Sequence, residues 1–213
     1  MKNNHITIMQ STNDKKYKFL KKSSYKYKNY QIIPIRYSDM IKIKDWRNEQ
    51  IVILRQKQPL SDANQLQYYE DIIKKSFTAV EPGQILFSFL LNGICIGYGG
   101  LVHIDWKNKK TELSFVNETK RSIDKKIFRE DFNVFLRLIF EIIFSELAFE
   151  KIVTESYDIR ENLIKILKDV GFVFTKKLDN HVIINSIPHD SLLHIFYKKS
   201  YMDFLKKVNS NEN

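Results

Sequence analysis

The sequence predicts an α/β (α+β) fold. It indicates a single mixed, twisted sheet with an antiparallel N-terminal meander, a β-α-β core and helices on both faces. Two observations carry this prediction. Apolar runs at residues 85–91 and 94–104 are joined by Asn92 and Gly93, a pair typical of tight hairpin turns. A long amphipathic segment then precedes another strand-like run at residues 151–155, which is the pattern of a β-α-β crossover.

The N-terminal half supplies the meander and two helices. Residues 30–36 predict a first strand, and Pro34 places that strand near an edge. Ser38 or Asp39 can cap a following helix, and a second short helix is expected over residues 61–75. Residues 111–116 form the third strand of the meander. The middle strand contains three glycines that predict a bulge or a close backbone approach, namely Gly97, Gly99 and Gly100.

The C-terminal half supplies the crossover and the closing strands. The main helix has apolar residues at three- and four-residue steps or their multiples: Phe128, Phe132, Phe135, Ile139, Ile142 and Phe149. Asp158 and Glu161 have the spacing of a capping box for the next helix, which Gly171 should end. Closing strands are expected at residues 173–176, 181–185 and 192–198, followed by a basic amphipathic helix from Tyr201.

The positive charge is concentrated at the N-terminus. Residues 1–28 hold eight lysines and one acid, so they carry most of the net charge of +10. Tyrosines and phenylalanines interleave with these lysines and could stack on bases or insert at a membrane surface. A solvated, disordered leader is the interpretation we favour, without a nucleic-acid partner or membrane insertion. The predicted organisation is therefore a disordered basic leader (1–28), one domain (29–200) and a basic C-terminal tail (201–213).

Composition excludes several classes of protein. Cys95 is the single cysteine, so no internal disulfide framework exists and a reducing compartment is expected. No apolar run reaches the roughly 20 residues that cross a bilayer. The N-terminal lysines precede no apolar h-region or small-residue cleavage site, so we expect no secretory signal there. We therefore expect a cytoplasmic protein. The histidines have no metal-ligand spacing with one another, with the cysteine or with an acid, so no metal site is predicted.

Several segments, taken in order, carry a family resemblance. They are Thr-Glu-Leu-Ser-Phe-Val at 111–116, Glu-Leu-Ala-Phe-Glu-Lys-Ile at 146–152 and Val-Gly-Phe at 170–172. Together with the element order, they resemble the GNAT superfamily of N-acetyltransferases. Residues 45–49 and the ending at 181–193 are most similar to the branch that acetylates ribosomal-protein N-termini and nucleotide amino sugars. The resemblance covers residues 29–200.

The resemblance implies an acetyl-transfer reaction. A GNAT-like domain would transfer an acetyl group from acetyl-CoA directly to a primary amine, on an amino sugar with a nucleotide carrier or on a protein N-terminus. Pantetheine would pair with the strand edge at Phe115, Val116 and Asn117, as an added strand does. The alternative is a catalytically inactive fold that serves as a binding module. The partner is thus a small-molecule or peptide amine, and the oligomeric state stays open, with a homodimer among the alternatives.

The phosphate-binding loop departs from the family pattern. Family members have Gln/Arg-x-x-Gly-x-Gly/Ala, whereas residues 127–132 here are Ile-Phe-Arg-Glu-Asp-Phe. Cations crowd this connection and either replace the missing backbone donors or are simply solvated: Lys120, Arg121, Lys125, Lys126 and Arg129. In the last helix, Arg160 stands where the family often has Asn. Asn162 lies nearby and could take that role, although an exposed helical Asn is the alternative.

Candidate catalytic and acceptor residues follow from their positions. Glu112 matches a family position and could deprotonate the amine through water, or it could simply pair with a lysine. Tyr157 is the candidate proton donor to the thiolate, and Glu155 is a reserve base. For the acceptor we name Trp46 and Arg47, which suit a flat or phosphorylated ligand. His103 ends the glycine-rich strand near the acceptor, and a structural histidine is its alternative.

Overall fold

A computed structural model of the protein describes residues 16–210. Eight strands form one sheet in the order β1-β2-β3-β4-β5-β6-β8-β7. Their bounds are β1 Tyr25–Tyr27, β2 Tyr30–Pro34, β3 Ile85–Leu91, β4 Ile94–Asp105, β5 Lys110–Asn117, β6 Lys151–Tyr157, β7 Val173–Ile184 and β8 Ile187–Tyr197. β1 to β5 pair antiparallel, β5 and β6 pair parallel, and β6, β8 and β7 pair antiparallel. The predicted mixed sheet with its antiparallel N-terminal meander is confirmed.

The helices lie on both faces of this sheet. They are α1 Met40–Glu49, α2 Asp62–Tyr68, α3 Lys74–Ser76, α4 Thr119–Ile123, α5 Lys125–Phe140, α6 Glu161–Val170 and α7 Tyr201–Ser210. A π-helical turn at Tyr69–Ile73 joins α2 to α3, and another at Glu141–Glu146 extends α5. On one face Phe135 of α5 packs against Phe115 with ring centroids 4.5 Å apart. On the other face Arg47 of α1 bonds to the Tyr98 hydroxyl.

Glycines occupy the positions where the sequence predicts a tight turn or a close approach of the backbone. Asn92 and Gly93 connect β3 to β4 with φ angles of 51° and 80°, the positive values that a tight hairpin turn of this kind requires. A Cβ atom on Gly99 would lie 2.3 Å from the Ser114 carbonyl oxygen and 2.7 Å from the Phe135 ring. Glycine therefore lets β4, β5 and α5 approach closely, as expected for this strand.

The C-terminal part differs from the sequence prediction in two respects. The three expected closing strands are two long ones, β7 and β8, paired across irregularities that include a shift between Leu178 and Val182. The predicted capping box does not form, because Arg160 occupies the N-cap position of α6 and no side chain caps that helix. The Asp158 carboxylate instead lies 3.0 Å from His189 Nδ1. Gly171 ends α6 in the left-handed region with φ 109°, as predicted.

Residues 16–28 are packed against the domain, so the prediction of a disordered leader is wrong for this part. Tyr17, Leu20 and Tyr25 are buried, and Tyr25 donates a hydrogen bond to Glu146. Of the aromatic residues that interleave with the lysines, Tyr17 and Tyr25 are buried and Phe19 and Tyr27 are half-buried, while the lysines between them stay at the surface. Residues 1–15 of the predicted leader lie outside the described residues. The predicted helix from Tyr201 is present, and its Phe204 is buried against Phe140.

Tyr17 completes the edge of the sheet where β2 ends. Its hydroxyl accepts a hydrogen bond from Leu86 N at 2.8 Å and donates one to Leu86 O at 2.7 Å. β2 ends at Pro34, so the Leu86 N–H has no strand partner there and the phenol replaces it. In residues 16–210, no helix is long and apolar enough to span a lipid bilayer.

We predict that Tyr17→Phe lowers the free energy of unfolding by about 1–3 kcal/mol, because it leaves the buried Leu86 N–H without an acceptor. Urea denaturation measures the change. Tyr27→Phe is the control, since this half-buried ring packs on Arg137 and its loss of a hydroxyl should change stability by less than about 0.5 kcal/mol. Equal effects of the two substitutions would contradict the role given to the Tyr17 hydroxyl.

Candidate active site

The candidate site is a V-shaped opening between β5 and β6. The two strands pair only from Lys110 opposite Lys151 to Glu112 opposite Val153. Beyond this apex, β5 stays paired with β4 as far as Asn117, and β6 stays paired with β8 up to its end. The edges that face each other across the V therefore present backbone N–H and C=O groups without a strand partner in the described residues. Such an edge can receive an extended ligand that carries amide groups.

A cavity of about 510 Å³ fills this opening. Its two strand walls are residues 112–116 and 154–157. At the open end the walls are Phe128 and Phe132 of α5 together with Arg160 and Leu163. The opposite rim is formed by Arg47, Ile53, Leu54, Arg55, Gly83, Gln84, Val102 and His103. A second cavity of about 350 Å³ adjoins it and shares Arg47, Gln84, Val102 and Ser114.

Two carboxylates meet at the apex. Glu112 and Glu155 come from the two different strands, and their side chains are only 15 % and 14 % exposed. Arg55, from the connection after α1, bridges them: Nη2 donates to Glu112, and Nη1 lies 3.1 Å from Glu155 Oε2. His103 Nε2 is 4.0 Å from Glu112 and His181 Nδ1 is 3.4 Å from Glu155. The apex is thus an acidic pair closed by one half-exposed guanidinium.

Tyr157 lies on the β6 wall beyond this pair. Its side chain is buried, and burial together with the nearby Glu155 carboxylate raises the pKa of the phenol, while Arg55 opposes that shift. The phenol therefore keeps its proton at neutral pH. A protonated hydroxyl that lines the cleft can donate a proton to a leaving group there.

The connection from β5 to α5 forms a conventionally capped helix instead of an open phosphate loop. Asp124 Oδ1 accepts hydrogen bonds from Lys126 N and Ile127 N, both at 2.9 Å. Helix N-terminal N–H groups are the usual donors to phosphate, and here a carboxylate already occupies two of them. Phe128 and Phe132 are buried and pack against Phe115, at centroid distances of 6.3 and 5.3 Å.

Most cations proposed for this connection have other positions or partners. Arg121 forms a bidentate pair with Asp131, both contacts being 2.7 Å, and Asp131 is fully buried. Arg129 pairs with Asp169 at 2.8 Å. Lys120, Lys125 and Lys126 are exposed. None of these five side chains lines the cleft cavity.

The structure brings together part of the predicted set. The cavity is lined by Glu112, Glu155, Tyr157, Phe115, Val116, Arg47 and His103. Trp46 is instead a core residue of α1, and Asn162 does not line the cavity. Asn117 is buried and donates to Asp131 at 3.2 Å. Cys95 is buried, and burial raises the pKa of its thiol to about 12, which fits the core role predicted for it.

Sequence reasoning missed two cleft residues. Arg55 lies in an irregular connection where no periodic pattern could assign its contacts. Arg160 has a signal in the sequence, because it stands where the family often has Asn, but that signal alone does not predict a cleft cation. In the described part of the chain, no group of three or more His, Cys, Asp or Glu side chains could hold a metal ion.

The sheet with its splayed central strands is the architecture of an acyl-CoA-dependent acetyltransferase, and comparisons with known proteins identify the family. The model of the acetyltransferase (GNAT) domain matches residues 32–193, well over half of the chain. The chain therefore belongs to the GNAT acetyltransferase family. It is an N-acyltransferase that uses acetyl-CoA as co-substrate.

Solved structures show the same fold at low sequence identity. Spermidine N-acetyltransferase from Vibrio cholerae in complex with CoA and spermine has a TM-score of 0.69 and 16 % identity, covering 83 % of this chain and 99 % of that one. A dodecameric structure of the same enzyme, in an intermediate state, has a TM-score of 0.67 and 16 % identity, covering 82 % and 97 %. A search of curated proteins finds no match.

We predict that Arg121→Met lowers the free energy of unfolding by about 3 kcal/mol, because it leaves the Asp131 carboxylate buried without its cation. Arg129→Met is the matched control: Asp169 is 48 % exposed, so loss of that pair should cost less than about 1 kcal/mol. Thermal and urea unfolding of both variants measure the difference. Equal stability of the two variants would contradict the structural role of Arg121.

Proposed function

We propose that the protein transfers an acetyl group from acetyl-CoA directly to a primary amine that binds at the apex of the V. The observation that carries this proposal is the pairing of two nearly buried carboxylates, Glu112 and Glu155, beside unpaired strand edges. The edges suit the amide-bearing arm of the cofactor, and the carboxylates suit a cationic amine. No covalent enzyme intermediate is required, and the described cleft residues include no cysteine.

The residues present fit acetyl-CoA along β5. The main chain at Phe115 would pair with the pantetheine amides, because groups alternate along a strand and the Val116 carbonyl is turned toward Gly97 of β4. Ser156 Oγ, across the V on β6, is buried and has no hydrogen-bond partner among the described residues, so it is a further polar group for that arm. When bound, the cofactor supplies the acetyl group as a thioester.

Glu112 is the proposed base that takes the proton of the amine. Primary amines in water are mostly protonated at neutral pH, so the acceptor must lose a proton before it can act as a nucleophile. Arg55 now occupies the space between Glu112 and Glu155, and it is the most exposed member of this trio. We infer that the acceptor ammonium replaces this guanidinium, so that binding and deprotonation use the same two carboxylates.

Tyr157 is the proposed acid that protonates the departing thiolate. Its raised pKa keeps the phenol protonated at neutral pH. The two groups lie on opposite walls of the V, with Glu112 on β5 and Tyr157 on β6. This arrangement separates the proton-accepting and proton-donating steps in space.

The adjoining cavity is the proposed place for the body of the acceptor. Tyr68, Tyr98 and several aliphatic side chains line this cavity, and Arg47 lies at its junction with the cleft. Among the described residues, Arg47 contacts only neutral groups, with Nε 2.9 Å from Gln56 Oε1 and Nη1 2.5 Å from the Tyr98 hydroxyl. A guanidinium without a carboxylate partner suits an acceptor that carries a phosphate or carboxylate. This supports a nucleotide-linked amino sugar or a peptide N-terminus over an aliphatic polyamine.

The alternative of a binding module without catalysis rests on Asp124, whose carboxylate occupies amides of α5 that would otherwise face phosphate. Membership in a family of acetyltransferases favours the enzyme.

Isothermal titration with acetyl-CoA tests the proposal. We expect saturable binding with a Kd below about 1 mM, which corresponds to roughly −4 kcal/mol. Binding should be followed by thiol release in the presence of a panel of amines that includes amino sugar nucleotides, N-terminal peptides and polyamines. Absence of binding at millimolar acetyl-CoA would overturn the proposal.

Glu112→Gln should lower kcat/KM for the best amine by about 10²-fold at neutral pH, because it removes the proposed base. Acetyl-CoA affinity should not change. Glu70→Gln is the control, since Glu70 is exposed and pairs with Lys74 at a distance from the cleft. If Glu112→Gln turns over as fast as the control, Glu112 is not the base, and Glu155 or solvent must take the proton.

A further inference from the structure

Arg160 is a cation inside the cleft that has no partner among the described residues. It precedes α6 as its N-cap residue and lines the cavity beside Phe128 and Leu163. Within residues 16–210, no acceptor lies within hydrogen-bond or ion-pair distance of its guanidinium. The other cleft arginines, Arg47 and Arg55, both have such contacts.

This isolation is physically costly. Burial lowers the pKa of Arg160 to about 10, because protein surrounds the guanidinium and no anion compensates for the water it has lost. Charges enclosed in proteins are normally paired. A lone guanidinium that is still partly accessible from a cavity is therefore suited to a ligand anion, and arginine binds planar oxyanions through two parallel hydrogen bonds.

The position of Arg160 complements the altered α5 terminus. β6 leaves the apex at Val153 and ends at Tyr157, so Arg160 follows at the open end of the V. On the other side of the V, where β5 leads to α5, Asp124 accepts hydrogen bonds from the first amides of α5, and Lys125 and Lys126 are exposed. The positive charge that is enclosed at the open end of the V is therefore carried by Arg160, on the β6 side.

We propose that the Arg160 guanidinium binds a phosphate group of the CoA moiety and takes over the anchoring that glycine amides provide in related enzymes. The proposal rests on acetyl-CoA binding in the V, as proposed above. The anionic end of the cofactor is then held by Arg160, which follows β6, whereas the pantetheine arm pairs with β5 on the other side of the V. The pyrophosphate and the 3′-phosphate are both oxyanions of the required kind.

Arg160→Gln tests the proposal, because glutamine removes the charge and keeps a polar side chain. We expect affinity for CoA to fall by about thirty-fold or more, as for loss of one partner of an enclosed ion pair. Affinity for pantetheine, which carries the same arm without phosphate, should be unchanged. Calorimetry measures CoA and dephospho-CoA, and saturation-transfer NMR measures pantetheine.

Lys125→Gln is the matched control. It removes one positive charge from the same end of the molecule, but Lys125 is exposed and lies outside the cavity. We expect at most a two- to three-fold loss of CoA affinity, together with a smaller change in salt dependence than for Arg160→Gln. Equal losses in the two variants would indicate long-range charge only and would overturn the proposal.

The unliganded protein gives a readout that does not depend on the cofactor. A structural role for Arg160 predicts a lower Tm for Arg160→Gln, whereas an unpaired enclosed cation predicts a Tm that is unchanged or higher. If Arg160→Gln fails to fold, Arg160→Lys keeps the charge and loses the bidentate geometry. That variant should then fold and bind CoA with intermediate affinity; wild-type affinity in it would overturn the bidentate assignment.

The forms of the cofactor separate the remaining outcomes. Equal losses for CoA and dephospho-CoA place the pyrophosphate on Arg160, and a loss for CoA alone places the 3′-phosphate there. A wild-type protein that binds no CoA rejects the proposed function itself. A wild-type protein that binds CoA as tightly as its Arg160→Gln variant retains that function and rejects only the role of Arg160.

Discussion

The parting of β5 from β6 is the constraint on which the site depends. Three residue pairs hold the two strands together at Lys110–Glu112, and each strand is then held by an antiparallel neighbour on its other side. Those outer pairings continue where the pairing between β5 and β6 has stopped, so only the inner edges of the two strands stay free. Every group proposed to act is placed by this geometry. Glu112 and Glu155 lie at the apex, Tyr157 lies along the wall, and Arg160 lies beyond the wall.

A buried polar cluster fixes the start of α5 against this opening. Asp131 accepts from Arg121 of α4 and from Asn117 at the end of β5, and the Tyr30 hydroxyl of β2 lies 3.3 Å from it. The cluster therefore joins two strands and two helices through one carboxylate. It also explains why Arg121 lies away from the cavity: the pair with Asp131 satisfies a charge that is fully buried. The side chains of two residues predicted to bind the cofactor, Arg121 and Asn117, thus position the helix that borders the opening.

The elements that could be predicted from sequence are those with local causes. Asn92 and Gly93 specify a hairpin turn by their backbone preferences, and Gly171 ends a helix for the same reason. Features that depend on distant partners were missed. Tyr17 is buried through contacts with Leu86, 69 residues away, so a lysine-rich context gave the wrong expectation. The capping box failed because the Asp158 carboxylate lies beside His189, on a strand formed later in the chain. In the site, strand position sufficed for Glu112 and Glu155, but nothing local connects Arg55 to them.

The charges along the cleft account for a loop without glycine. Phosphate at the N-terminus of α5 would require bare amides, and Asp124 both occupies two of them and adds a negative charge. A family member that keeps the cofactor must then place positive charge elsewhere along the same opening. Glu112 and Glu155 make the apex acidic, which suits an amine, and Arg160 makes the open end basic, which suits phosphate. The two ends are separated by the length of the opened strands, so a donor that is anionic at one end and an acceptor that is cationic can bind together without competing for the same charges. Loss of the glycines is thus compatible with acetyl transfer, provided that the anion site has moved from backbone to side chain.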